Sequence, residues 1–176
     1  MDIAENSVKA GATLTQLLLT QEGDTLTFQV ADDGCGMTEE ILRGVVDPFY
    51  TTRTTRKVGL GLPLLRMAAE QTGGDMTVES RHVDSHPDNH GTTVTAVFHT
   101  DHIDCPPVGD MVATVTTLIQ GHPDTDFYFR HADGVAEVEL DTRQLREVLG
   151  DVSLAEYEVL QWISGYLTDQ YTGQQA

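Results

Sequence analysis

The stretch Leu26-Thr27-Phe28-Gln29-Val30-Ala31-Asp32-Asp33-Gly34-Cys35-Gly36-Met37 sets the reading of the whole chain. Its first half alternates apolar and polar residues and is rich in β-branched and aromatic side chains, which predicts a strand over 26–31. The strand runs directly into two aspartates and two spaced glycines. Asp32 therefore offers a carboxylate at the end of a sheet, and Gly34 and Gly36 allow a tight turn and a close approach of backbone to a ligand. Asp-Asp-Gly is also a common turn, so the weight of this motif comes from its neighbours.

Upstream, Ala12 to Leu19 predicts a partner strand, joined through a hairpin turn at Glu22-Gly23-Asp24. Residues 2–11 predict a helix, expected to begin before Met1 and stopped by Gly11. Three polar residues recur along it at helical spacing. The Asn6 amide oxygen is a hard donor of the kind Mg²⁺ takes beside phosphate oxygens and waters. Lys9 can neutralise a phosphate, and Asp2 can orient or deprotonate a water. An adenine amino group can donate to Asp32, whereas the guanine carbonyl would set two acceptors face to face.

Downstream, Thr38 predicts the N-cap of a short helix reaching about Val46. Tyr50 to Val58 predicts a polar loop in which Arg53, Arg56 and Lys57 lie together. In a chain with 28 acids, 10 bases and a net charge of -18, such a cluster points to an anionic ligand. Gly59-Leu60-Gly61-Leu62-Pro63 predicts the start of a helix over 60–72 that Gly73-Gly74 ends. The N–H groups and dipole at that start suit phosphate oxygens, and its glycines suit a hinge for the preceding lid. Met76 to Ser80 and Thr92 to His99 predict two more strands. The polar loop from His82 to His90 carries three histidines at four-residue spacing, a pattern that reads as solvated rather than metal-binding.

Cys105-Pro106-Pro107 marks a boundary, so the expected organisation is a unit over 1–100 and a small α+β extension over 101–176. The extension predicts a helix over 110–120, strands over 126–131 and 135–140, a helix over 141–149 stopped by Gly150, and a last helix opening with the capping box Ser153-Leu154-Ala155-Glu156. It holds 14 acids and 3 bases, all arginine, and no lysine follows Lys57.

Composition narrows the function classes. The acidic balance excludes nonspecific nucleic-acid binding, which needs cations against phosphate. No run of about 18 apolar residues is present, so no membrane helix is expected, nor is a secretory leader. Cys35 and Cys105 read as free thiols, consistent with the cytoplasm. There is no G-x-x-x-x-G-K-[ST] and no G-x-G-x-x-G, so ATP, if bound, is bound without a Walker-type loop.

Four segments thus fall in a fixed order: Asp2-Ile3-Ala4-Glu5-Asn6-Ser7, Asp32 to Met37, Asp47-Pro48-Phe49-Tyr50-Thr51-Thr52-Arg53, and Gly59 to Pro63. They resemble the N, G1, F and G2 boxes of the Bergerat-fold ATP-binding superfamily of gyrase B, heat-shock chaperone, histidine kinase and mismatch-repair proteins. Gly91-Thr92-Thr93 resembles the element that closes the same pocket. Asp-Pro-Phe-Tyr-Thr-Thr-Arg and Gly-Leu-Gly-Leu-Pro look most like the ATP-binding domain of sensor histidine kinases, whereas the first box looks more like the mismatch-repair branch. The resemblance implies a two-layer α/β sandwich, a mixed and mainly antiparallel sheet with helices on one face. It implies ATP and Mg²⁺ as ligands, with Asn6 on the metal. The nucleotide set would be Asn6, Lys9, Asp32, Gly34, Gly36, Met37, Arg53, Lys57, Gly59, Leu60, Gly61, Leu62 and Thr92. Asp2 would occupy the place of the catalytic Glu of the ATPase branches.

Neither machine of that superfamily is complete in this chain. None of the seven histidines is followed by Asp or Glu, the usual mark of a phosphoacceptor. The ATPase branches borrow a lysine from a second domain, for which only an arginine such as Arg130 could substitute here. The expectation is a Mg·ATP-binding protein that acts as a kinase on, or regulator of, a separate protein, with clamp-type ATP hydrolysis as the alternative.

Overall fold

The computed structural model describes residues 1–46 and 60–173. Chain order is α1 (Asp2–Lys9), β1 (Leu14–Glu22), β2 (Thr25–Asp32), α2 (Glu39–Val46), α3 (Gly61–Gln71), β3 (Asp75–Arg81), β4 (Gly91–His99), α4 (Met111–Gly121), β5 (Asp126–Ala132), β6 (Glu137–Asp141), α5 (Thr142–Leu149) and α6 (Tyr157–Gly173). The six strands form one sheet in the order β3-β4-β2-β1-β5-β6. All its pairings are antiparallel except β1 with β5. This is the mixed, mainly antiparallel α/β architecture expected from the sequence.

The period-2 alternation decides which face is buried. Register places Leu17, Val30, Val94, Val78 and Phe129 in one row across the sheet, and Leu140 follows beside Phe129. Leu19, Phe28 and Ala96 lie in the next row, on the same face. Helical residues Ile3, Ala4, Leu62, Ala69, Leu118 and Ile163 join these strand residues in a single core. The opposite face carries Gln16, Gln29, Thr95, Glu139 and other polar side chains; Gln29 donates to Thr95 Oγ1 at 3.0 Å. Phe127 and Phe129, 1% and 0% exposed, anchor the C-terminal strands in the shared core, each contributing about 1.5–3 kcal/mol by burial.

Residues 101–176 therefore add two strands to the edge of the same sheet. Thr142 secures the end of that addition: its hydroxyl accepts from Phe127 N at 2.8 Å and donates to Asp126 at 2.9 Å. At the outer edge, Gln170 of α6 accepts from Glu139 N and donates to Glu139 O, both at 3.0 Å. Asp110 caps α4 by accepting from Ala113 N at 2.9 Å.

Some boundaries differ from the sequence reading. The first helix ends at Lys9, and β1 begins at Leu14 rather than Ala12, because Asp33 accepts from Thr13 N and turns the chain there. The last helix begins at Tyr157, not at Ser153. Ser153 accepts from Ala155 N at 3.2 Å in a separate turn, and the wholly buried Leu154 holds that turn to the core. The expected lid over 50–58, with Arg53 and Lys57, and Gly59 after it lie outside the described residues.

Phe129→Ala is expected to cost about 3–5 kcal/mol. Urea unfolding followed by Trp162 fluorescence and by far-UV circular dichroism should show both curves moving together. Two separate transitions would mean that the C-terminal segment unfolds on its own.

Candidate functional site

Asp32 closes the inward row of polar residues at one end of the sheet. Register sets Thr15, Asp32, Thr92 and Ser80 side by side across four strands. The carboxylate is fixed at both oxygens: Oδ1 accepts from Gly34 N at 2.9 Å, and Oδ2 accepts from the Ser7 hydroxyl at 2.7 Å. Ser7 is 3% exposed and lies on α1 next to Asn6. Sequence reasoning passed over Ser7, although its helical spacing with Ile3 and Ala10 marks it as inward-facing.

The turn after Asp32 is tied on both sides. Cys35 N donates to Ala10 O and Val83 N donates to Cys35 O, each at 2.9 Å, and His90 Nδ1 lies 2.6 Å from Gly34 O. Gly36 has φ +68°, and a Cβ there would stand 2.0 Å from Arg81 O. Its need for glycine thus comes from the backbone beside it. Met37 N donates to Ser80 Oγ at 2.8 Å, and Ser80 Oγ lies 2.8 Å from Thr92 Oγ1.

Asp33 acts on the other side of the turn. Burial pushes its carboxyl up, but hydrogen bonds from Leu14 N, the Thr13 hydroxyl and Thr13 N together outweigh that and hold it below the usual aspartate range.

A cavity of about 250 Å³ opens above Asp32. Of the sequence-predicted residues, Asn6, Asp32, Gly36, Met37, Leu62 and Thr92 line it, and Ile3, Val30, Ile41, Val45 and Val94 supply apolar walls. Asp32 is the one charged residue among its described lining residues. Gly34 lies beneath, packed on Ala10. Lys9 is exposed, and Leu60 is 72% exposed; neither lines the cavity.

Asp2 is exposed and does not line the cavity, but α1 and α3 meet beside it. A Cβ on Gly61 would stand 2.8 Å from Asp2 Cβ, so glycine is what allows the two helix starts to approach. The start of α3 has no side-chain cap. Leu64 N makes the first intrahelical bond, to Leu60 O, and Pro63 has no N–H. Among the described residues the Gly61 and Leu62 amides have no acceptor.

The donor set around Asn6 suits one kind of metal. Among the described residues, no three His, Cys, Asp or Glu side chains gather as a metal cage, and the Asn6 amide has no hydrogen-bond partner. One neutral oxygen donor with no carboxylate cage fits an ion such as Mg²⁺, which keeps waters and shares phosphate oxygens. The three histidines of the 82–90 loop do not converge: His82 pairs locally with Asp84 at 3.5 Å, and His90 turns to Gly34.

Residues 1–102 match the family described as "Histidine kinase-, DNA gyrase B-, and HSP90-like ATPase". The chain is 30% identical to the sensor histidine kinase CitA of Klebsiella pneumoniae over 70 residues, which is 40% of this chain and 13% of that protein. It is 31% identical to sporulation kinase E of Bacillus subtilis over 83 residues, 46% of this chain and 11% of that protein. The chain thus spans a small part of the curated relatives it matches. Among solved structures, the Aquifex aeolicus MutL ATPase domain complexed with ADP superposes with a TM-score of 0.53 at 15% identity, covering 84% of this chain and 65% of that one. That likeness concerns the fold.

Because Asp33 titrates below its unfolded value, its contribution to stability is full above the usual aspartate range and is lost as pH falls through the depressed value. Asp33→Asn should therefore lower the melting temperature at neutral pH. The gap to wild type should close in thermal melts taken down to about pH 2.

Proposed function

The chain belongs to the family of histidine kinase-, DNA gyrase B- and HSP90-like ATPases, and on that premise we propose that it binds Mg·ATP above Asp32 and acts as a kinase on, or an ATP-dependent regulator of, a separate protein. One observation carries the nucleotide assignment. Ser7 and Gly34 fix both oxygens of the Asp32 carboxylate beneath an otherwise uncharged, largely apolar cavity. A carboxylate so held accepts from an adenine amino group and disfavours a carbonyl. Ile3, Met37, Ile41 and Val94 would pack on the purine.

The phosphates would run toward Asn6 and the amides of Gly61 and Leu62, where the helix dipole favours negative charge. Asn6 would hold Mg²⁺, whose charge offsets that of the phosphates. Arg53, Lys57 and Gly59 complete the proposed set from the segment between α2 and α3. Phosphoryl transfer asks for positioning and charge neutralisation rather than covalent chemistry from the protein, and a phosphoacceptor would come from the partner. The same reading places the protein in signal transduction in the cytoplasm; no helix among the described residues is long and apolar enough to cross a membrane.

Clamp-type hydrolysis is a second reading, favoured by the approach of Asp2 to Gly61, which sets a carboxylate beside the proposed phosphate site. Arg130 does not support it. That side chain is on the outer face of the sheet and is paired to Glu137 at 2.5 Å.

Calorimetric titration should show Mg·ATP binding to wild type, with GTP weaker by about a hundredfold. Asp32→Asn should weaken ATP by at least about tenfold and narrow that gap; equal affinity for both proteins would remove Asp32 from base reading. Ser7→Ala should weaken ATP by about five- to tenfold through a less constrained carboxylate. With γ-labelled ATP and host-cell extract, label on another protein supports the kinase. Steady phosphate release by the isolated chain that is abolished in Asp2→Asn supports hydrolysis instead.

A further inference from the structure

Helix α6 buries Leu160, Ile163 and Leu167 on one side. Its other side presents Glu158, Trp162, Tyr166 and Asp169, all exposed and spaced by four, four and three residues, so they form one stripe. Trp162 and Tyr166 stack with ring centroids 4.9 Å apart and planes 11° apart, yet they remain 52% and 41% exposed. Two stacked aromatics cost little further entropy to immobilise, and Trp and Tyr are the residues that most often dominate protein interfaces. Their faces attract cations, and a carboxylate stands at each end of the stripe.

Charge selects the occupant. Residues 101–176 hold 14 acids and 3 arginines. All three arginines are committed within the fold, Arg130 to Glu137, Arg143 to Asp141 and Arg146 to Asp126. A second copy of this chain would bring its own Glu158 and Asp169 against these in a two-fold contact, with a net charge of -18 on each side.

We propose that the Trp162–Tyr166 stack is the docking surface for a cationic amphipathic helix of a partner protein, with an Arg or Lys over the aromatic pair and further cations on Glu158 and Asp169. The inference deepens, and rests on, the proposed action on a separate protein. The surface lies on the helix that covers β6, at the opposite edge of the sheet from β3.

Trp162 is the single tryptophan of the chain, so its emission reports directly from this surface. The probe is a synthetic helical peptide with leucines on one face and arginines on the other; the control carries glutamates in place of the arginines. In the full chain, the arginine peptide should shift Trp162 emission saturably, and the control should not. Tyr166→Ala, and separately Glu158→Lys with Asp169→Lys, should weaken binding by about tenfold or more, with Mg·ATP affinity unchanged in the same samples. An unchanged emission with the arginine peptide, or equal affinity after charge reversal, overturns the proposal. So does a dimer in sedimentation that Trp162→Ala dissolves. Peptide docking without nucleotide binding would instead count against the reading of the ATP site.

Discussion

The position of one carboxylate organises one end of this molecule. Asp32 is the last residue of β2, so the pleat turns it toward the helices rather than toward water. A carboxylate there is tolerable only if its oxygens are satisfied. The Ser7 hydroxyl and the Gly34 amide do this from opposite sides, which ties α1, β2 and the following turn to one point. The cavity above Asp32, its apolar walls and the placement of Asn6 next to Ser7 all follow from that tie. The apolar rows beneath hold the same three elements, so the site rests on the core rather than on a free loop.

Much of this was legible in the residues. Alternation along β1, β2 and β4 fixed which side chains face inward, and the Asp-Asp-Gly-Cys-Gly turn marked where the sheet ends. Asn6, Met37 and Thr92 were identified from motif order and do line one cavity with Asp32. What periodicity does not carry is the identity of neighbours. It reports which face of a strand is buried, not which strand lies beside it. The parallel pairing of β1 with β5, separated by more than a hundred residues, was therefore invisible. Ser7 was overlooked for a related reason: a serine in a polar helix reads as solvated until the strand that buries it is known. The glycines illustrate a third limit, since Gly36 is required by the carbonyl of Arg81, a residue distant in sequence.

The family match over 1–102 and the broader fold likeness over 84% of the chain bear on different parts of the molecule. The first covers the elements that surround Asp32. The second reaches beyond residue 102, into the segment whose two strands complete β1 on its far side. Without them β1 would be an outer strand, and the row from Val78 to Phe129 would stop at Leu17. The acidic C-terminal segment is thus part of the same packing problem as the site, even though none of the described residues lining the cavity belongs to it.

The amide of Gln170 has a consequence for how other molecules can approach. It donates to and accepts from the backbone of Glu139, the middle residue of β6. A side chain thereby imitates the next strand and uses the hydrogen-bonding groups that an outside chain would need for sheet extension. Glu137 and Asp141 flank that position, each ion-paired to an arginine, Arg130 and Arg143 respectively. The middle of this margin is thereby closed to templated growth at Glu139, and contact there falls to side chains projecting from the helix that carries Gln170.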